Sequence, residues 1–99
     1  MKKRVGIIGG GASGLVAAIG AARNGAEVTV IEHMDRVGKK ILSTGNGKCN
    51  LTNLYMDPSC YRSEQKGFEE AAIEEFPPSA TVSFFRELGV LTMDRGGYV

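Results

Sequence analysis

The stretch VGIIGGGASG, Val5 to Gly14, decides how the rest of the chain is read. Val5, Ile7 and Ile8 are apolar and β-prone, so Arg4 to Ile8 is expected to form a short buried strand. Gly9-Gly10-Gly11-Ala12-Ser13-Gly14 cannot continue it, and a tight turn is expected there. Directly after, Leu15, Ala18, Ile19 and Ala22 fall at i, i+3, i+4 and i+7, which predicts a helix from Ser13 to Asn24. Gly25 suits the end of that helix. EVTVIE, Glu27 to Glu32, is a second β-rich run. Strand, turn, helix and strand within about 30 residues make a βαβ unit, with parallel strands and a right-handed crossover.

Gly9, Gly11 and Gly14 have the spacing Gly-x-Gly-x-x-Gly, and the context gives each a task. Gly9 lets the chain turn sharply, Gly11 lets a pyrophosphate approach the backbone, and Gly14 lets helix and strand pack closely. The backbone N–H groups of Gly10, Ala12 and Ser13 lie where the helix N-terminus would attract a diphosphate. Glu32 follows Gly9 by 23 residues. Its carboxylate can accept hydrogen bonds from the hydroxyls of an adenosine ribose. It would repel a 2′-phosphate, which disfavours NADP in this site. FAD and NAD both carry an ADP half, and the loop alone does not separate them.

Ninety-nine residues suffice for one small domain with a thin stability margin. Hydrophobic residues at 42% and charged residues at 23% are ordinary for a soluble globular protein. A net charge of +1 leaves no electrostatic footprint for nucleic acid or an anionic membrane. A small-molecule substrate, no nucleic acid and no membrane are therefore expected. Cys49 and Cys60 match neither a zinc nor a CxxC pattern, so no metal is expected and a reducing, cytoplasmic compartment fits. MKKR followed by eighteen uncharged residues, Val5 to Ala22, imitates a signal peptide or a membrane span. Six of the eighteen are glycine, and four of these split the run between Gly9 and Gly14, which rejects that reading.

Beyond the βαβ unit (4–32), residues 33–61 read as a loop with a short helical turn near Gly38 to Leu42. Residues 62–99 read as a helical segment and a partial hairpin. Phe68, Ala72 and Phe76 predict one helix, ended by Pro77-Pro78. Ser79 can cap a second, running to Leu88, with Val82, Phe85 and Leu88 on one side and Gly89 closing it. VLTM, the turn DRGG and Tyr98-Val99 read as a hairpin with a short second arm. A two-strand parallel sheet and an unfinished hairpin suggest the front part of a larger protein.

A second polar loop, STGNGKCN, Ser43 to Asn50, is not a P-loop. Leu42 stands at the first glycine position of that motif, and Cys49 follows Lys48. Its flanks do not alternate as hairpin strands do. VGIIGGGASGLVAA, VTVIE and RVGKKILSTGNGKCNLTN together strongly resemble the N-terminus of a bacterial flavoprotein family. Its members are described as NAD(P)/FAD-dependent oxidoreductases or as aminoacetone oxidase-like FAD-binding enzymes. The resemblance runs on through LGVLTMDRGGYV, and the segment from Gly38 to Asn53 is its most particular part. Asn46 and Lys48 depart from it, where many relatives carry Gly and Arg.

The resemblance implies an α/β fold: a truncated, Rossmann-like βαβ FAD-binding segment of a two-dinucleotide-binding flavoprotein. FAD is the implied cofactor, with NAD(P)H a candidate electron donor. The second loop would lie along FAD toward the flavin. Gly45 and Gly47 would allow close backbone approach, Thr44 and Asn50 would hydrogen-bond, and Lys39, Lys40 or Lys48 would balance the diphosphate. His33 reads as a bystander or an adenine neighbour and not as a catalytic base, and Cys49 as a packing residue. No catalytic residue is assigned, because hydride chemistry belongs to the flavin. The alternatives are an NAD-dependent oxidoreductase segment and a non-catalytic truncated dinucleotide-binding fragment. Oligomeric state stays open.

Overall fold

A computed structural model describes residues 2–43 and 49–99 of the chain. It divides into two compact units, Met1–Cys49 and Asn50–Val99.

In the first unit, β1 (Arg4–Ile8) pairs in parallel with β2 (Glu27–Ile31), in a register running from Arg4↔Glu27 to Ile8↔Ile31. Glu27 N–H donates to the Lys3 carbonyl and Gly9 N–H to the Ile31 carbonyl, each at 2.8 Å, which extends the ladder past both strand ends. Between the strands runs α1 (Ala12–Arg23), which begins one residue before the Ser13 expected from its apolar stripe. Alternate strand residues Val5, Ile7, Val28 and Val30 are half-buried, as are Leu15, Ala18 and Ile19 of α1. Ala22, the fourth member of the expected stripe, is exposed, and Ala21 is half-buried instead. Half-burial of a Val or Ile contributes roughly 1 kcal/mol, against about 1.5–3 kcal/mol for full burial. The opposite strand residues stay exposed, with Ile8 at 81% and Ile31 at 55%. A short helix, α2 (Lys39–Ser43), follows the loop after β2.

The second unit is built mainly from local bonds. Asp57 opens a 3₁₀ turn, Pro58–Cys60, and its Oδ1 accepts the Ser59 N–H at 2.9 Å. Hydrogen bonds from the Ser59 side chain and backbone hold the Asp57 carboxyl below its ordinary 3.8. Helices α3 (Phe68–Glu75) and α4 (Pro78–Glu87) follow. Phe76 meets Phe84 edge-on with ring centroids 6.3 Å apart, and Phe84 meets Phe85 at 5.2 Å.

Three expectations change here. The cap of α4 is Pro77, with no side-chain cap bond, so Ser79 does not cap it. Pro78 supplies the preset φ of a first helical residue and makes such a cap unnecessary. The face of α3 expected from Phe68, Ala72 and Phe76 is exposed, whereas Glu69 and Ile73 are half-buried. The hairpin is also different. Arg95 and Tyr98 exchange both backbone bonds around Gly96 (φ +60°) and Gly97 (φ +96°), a type I′ tip that glycine makes without strain. Val90 to Met93 form no strand, however. Tyr98 bridges Asn53, Leu51 N–H donates to the Val99 carbonyl at 2.7 Å, and Val99 N–H returns to Thr52 at 3.0 Å. The last residues therefore pair with a segment far away in sequence, not with the neighbouring VLTM.

Candidate functional site

The four glycines of the first loop differ in conformation and surroundings, although a Cβ on Gly9, as on Gly11, would meet nothing within 4 Å. Gly9 has φ +96°, a left-handed conformation that only glycine adopts cheaply. Gly10 is the one buried residue among those described. Its N–H donates to Glu32 Oε1 at 2.9 Å, and its carbonyl accepts the Gly38 N–H at 2.7 Å. Gly11 is the N-cap of α1, with φ −84° and no side-chain cap bond. A Cβ added there would meet nothing within 4 Å. A Cβ on Gly14 would collide with the Gly9 carbonyl oxygen and touch Ile7 at 3.4 Å. Gly14 is thus required by the loop's own backbone, and Gly11 stands before open space.

Helix α1 has no acidic residue in its first turn. Its first backbone N–H groups, at Ala12, Ser13 and Gly14, precede the helix's own bonding pattern and carry the positive end of the dipole. Both residues expected to complete the cradle beside Gly11, Ala12 and Ser13, are exposed. A diphosphate is the kind of group this geometry can take: anionic, and close to backbone at a position without a side chain.

Glu32 stands directly after β2, and parallel pairing with β1 brings it to the loop. Its side chain is 16% exposed. Oε1 accepts from Gly10, and Oε2 accepts the Met34 N–H at 3.0 Å. These two bonds, Met34's first and Gly10's second, hold the carboxyl below its ordinary 4.5. His33 Nδ1 lies 3.2 Å from Oε2, while the His33 ring is 89% exposed. Val37 and Gly38 complete the surroundings of Gly10. Sequence reasoning did not single out Met34, Val37 or Gly38. A Val-Gly pair inside the otherwise polar DRVGKK was the available signal.

The lysines divide. Lys39 Nζ donates to Asp35 Oδ1 at 3.0 Å, an i,i+4 pair, so its charge is already matched. Lys40 is exposed. Thr44, Gly45, Gly47 and Lys48 lie outside the described residues. Asn50 is exposed and belongs to the second unit. Cys49, expected to be a packing thiol, is exposed and unpaired, as is Cys60. A groove of about 260 Å³ in the second unit is lined by Tyr61, Ile73 and the carboxylate residues Asp57, Glu69, Glu70 and Glu74. It includes none of the expected site residues. No helix among the described residues is long and apolar enough to cross a membrane.

Comparison with known proteins agrees with the loop, strand and helix order. Residues 3–97 match the family model described as HI0933-like protein Rossmann domain. The chain is 53% identical over 98 residues to a 3-dehydro-bile acid delta(4,6)-reductase of Clostridium scindens, covering 97% of this chain and 24% of that protein. It is 38% identical over 84 residues to a ribosomal RNA dihydrouridine synthase of Haemophilus influenzae, covering 85% of this chain and 21% of the relative. Another ribosomal RNA dihydrouridine synthase, from Escherichia coli, is 40% identical over 70 residues, covering 71% and 18%. The chain thus spans a quarter or less of the length of these relatives.

The expectation of no nucleic acid does not survive these matches, since two relatives are named for action on ribosomal RNA. The +1 charge behind it describes only 99 residues. Steering of a polyanion depends on the field of the whole polypeptide, which so short a span does not report. The parallel β1–α1–β2 order is that of a Rossmann-type α/β fold, and with the match over residues 3–97 the chain belongs to the family of the HI0933-like protein Rossmann domain.

Proposed function

We propose that this chain binds the ADP half of FAD and forms the FAD-binding part of a flavin-dependent reductase. One observation carries the reading. The uncapped N-terminus of α1 opens at Gly11, where a side chain would find only open space, and parallel pairing brings the Glu32 carboxylate to the same loop. In this reading the N–H groups of Ala12, Ser13 and Gly14 hold the diphosphate, and Glu32 holds the ribose hydroxyls. His33 and Met34 are the nearest candidates for the adenine. Lys40 is better placed to offer charge than Lys39, which is paired with Asp35. Thr44, Gly45, Gly47, Lys48 and Asn50 are proposed to continue the cofactor site on the resemblance alone. Bound flavin would supply the two-electron chemistry, and the residues named here bind and orient it.

Reduction is favoured over the oxidative chemistry of aminoacetone oxidase-like enzymes because the relative at 53% identity is named a reductase. Read chemically, the two names that the three relatives carry concern hydrogen added to a carbon–carbon double bond, in a bile acid or in uridine. An activated double bond is therefore the proposed substrate class, with NAD(P)H the proposed electron donor. A steroid-like substrate is the first reading and a base in RNA the second, following the order of identity. A reducing, cytoplasmic setting is proposed from the unpaired Cys49 and Cys60.

Titration of the isotope-labelled chain with FAD, ADP, FMN, NAD and NADP tests the site. FAD and ADP should shift the amides of Gly11 to Gly14, FMN should not, and NADP should bind less well than NAD. Equal shifts with FMN, or none with ADP, would sink the reading.

A further inference from the structure

Gly10 is buried, and both of its backbone polar groups are bonded to the segment that follows β2. Its N–H reaches Glu32 and its carbonyl reaches Gly38. A Cβ on Gly10 would stand 2.6 Å from Val37 Cγ1, 3.0 Å from Val37 Cβ and 3.4 Å from Glu32 Oε1. Three residues across a seven-residue stretch thus close on a single glycine. We infer that residues 32–38 are a strap that holds the glycine loop in one shape before any ligand arrives. Glu32, Val37 and Gly38 are its positioning residues, and all three act through Gly10.

The physical need is clear. A run of glycines has more backbone freedom to lose than any other sequence, so a loop of this composition does not hold its shape unaided. Bonding both polar groups of the central glycine removes that freedom and leaves no buried group unsatisfied. It also reassigns Gly10. Its N–H is taken by Glu32 and is not available to a phosphate, and its lack of a side chain makes room for Val37. Glu32 then has two tasks that do not compete. Each carboxylate oxygen has two acceptor positions. Oε1 holds Gly10, and Oε2 holds Met34 with His33 Nδ1 at 3.2 Å, which leaves the further position on Oε1 for a ligand hydroxyl. What the loop shape serves rests on the dinucleotide reading above, but the strap itself belongs to the ligand-free chain.

Amide hydrogen exchange of the ligand-free chain, read residue by residue by NMR, tests the strap. Glu32→Leu should speed exchange at Gly10 by about 10- to 100-fold, the loss expected for a hydrogen bond to a charged group. Glu32→Gln retains an acceptor oxygen and should restore most of the protection, which a general loss of packing would not allow. The Gly9 and Glu27 amides of the β1–β2 ladder serve as controls. If Glu32→Leu frees these too, a second pair of variants decides. Gly10→Ala should speed exchange at Gly38, and adding Val37→Ala should return part of that protection. Equal Gly10 exchange in the unaltered chain and Glu32→Leu, with the ladder intact, overturns the proposal. So does Gly38 protection that ignores Gly10→Ala. The ADP titration is separate: protected Gly10 with no response at Gly11 to Gly14 removes the dinucleotide reading and leaves the strap standing.

Discussion

In the first unit the hydrogen bonds around the loop join residues far apart in sequence. Gly9 bonds Ile31, Gly10 bonds Glu32 and Gly38, and Glu27 bonds Lys3. In the second unit most side-chain bonds reach two or three residues: Tyr55 to Asn53, Ser59 to Asp57, Gln65 to Ser63 and Gly97 to Asp94. Its long-range exception is the pairing of residues 51–54 with 97–99. Local turns form wherever their residues stand, because closing a short loop costs little entropy. The glycine loop forms only once β1 and β2 are paired. The candidate site is therefore a product of the parallel pair, and perturbations should divide along that line.

The largest effect is expected from Gly14→Ala. Its Cβ would strike the Gly9 carbonyl oxygen. Backbone cannot yield as a flexible side chain does, so a loss of about 1–3 kcal/mol or more is expected. Urea titration followed by NMR should show the Gly9 and Glu27 amides failing first. The Ser59 and Gly97 amides, held by Asp57 and Asp94, should keep their shifts at low urea. Simultaneous loss of all four would break the comparison between the units.

Gly11→Val should leave the fold alone and abolish ADP binding. Gly11 has φ −84°, which any residue adopts, and its Cβ direction is open. A folded chain whose stability falls by no more than about 1 kcal/mol, the cost of valine at an N-cap, with ADP affinity lost, is the expected pair of results. Retained ADP binding would show that the open space at Gly11 is not where the diphosphate lies. Glu32→Ala comes next. It should weaken ADP by about 10- to 100-fold through the lost charge-assisted acceptor. Unchanged affinity by calorimetry would remove Glu32 from the ribose.

The mildest probe is acid. The carboxyls of Glu32 and Asp57 are both held below their ordinary values of 4.5 and 3.8. A carboxyl depressed in the folded chain contributes stability that is fully present above its unfolded value. That contribution is lost as pH falls through the folded value. For Glu32 the loss begins near pH 4.5 and completes below its lowered value. The Gly10 and Met34 amides should titrate together with a midpoint under 4.5, and the Ser59 amide with one under 3.8. A Gly10 midpoint at or above 4.5 would show that Glu32 is not held by the loop.

Some of this was legible in the residues. The spacing of Gly9, Gly11 and Gly14 between a β-rich run and an apolar helical stripe announces the βαβ unit, since propensity and period are local properties. The acidic residue ending EVTVIE was equally visible. The partner of Gly10 was not, because nothing in GGGAS marks one glycine for Val37 and another for open space. Val90 to Met93 shows why β-propensity misleads over short runs. Its four residues read as a strand, yet Tyr98 bridges Asn53, whose register is set by residues over forty positions away.

By itself, then, the sequence determined the kind of unit: two strands, a glycine turn, a helix, and a carboxylate at the end of the second strand. Each follows from residues within one turn or one strand of one another. The tertiary structure alone decided which glycine is buried, which faces open space, and which residues fasten the loop. Those assignments arise when β2 returns alongside β1 and carries Glu32, Val37 and Gly38 back to Gly10, a meeting between residues 22 to 28 positions apart that no local preference encodes.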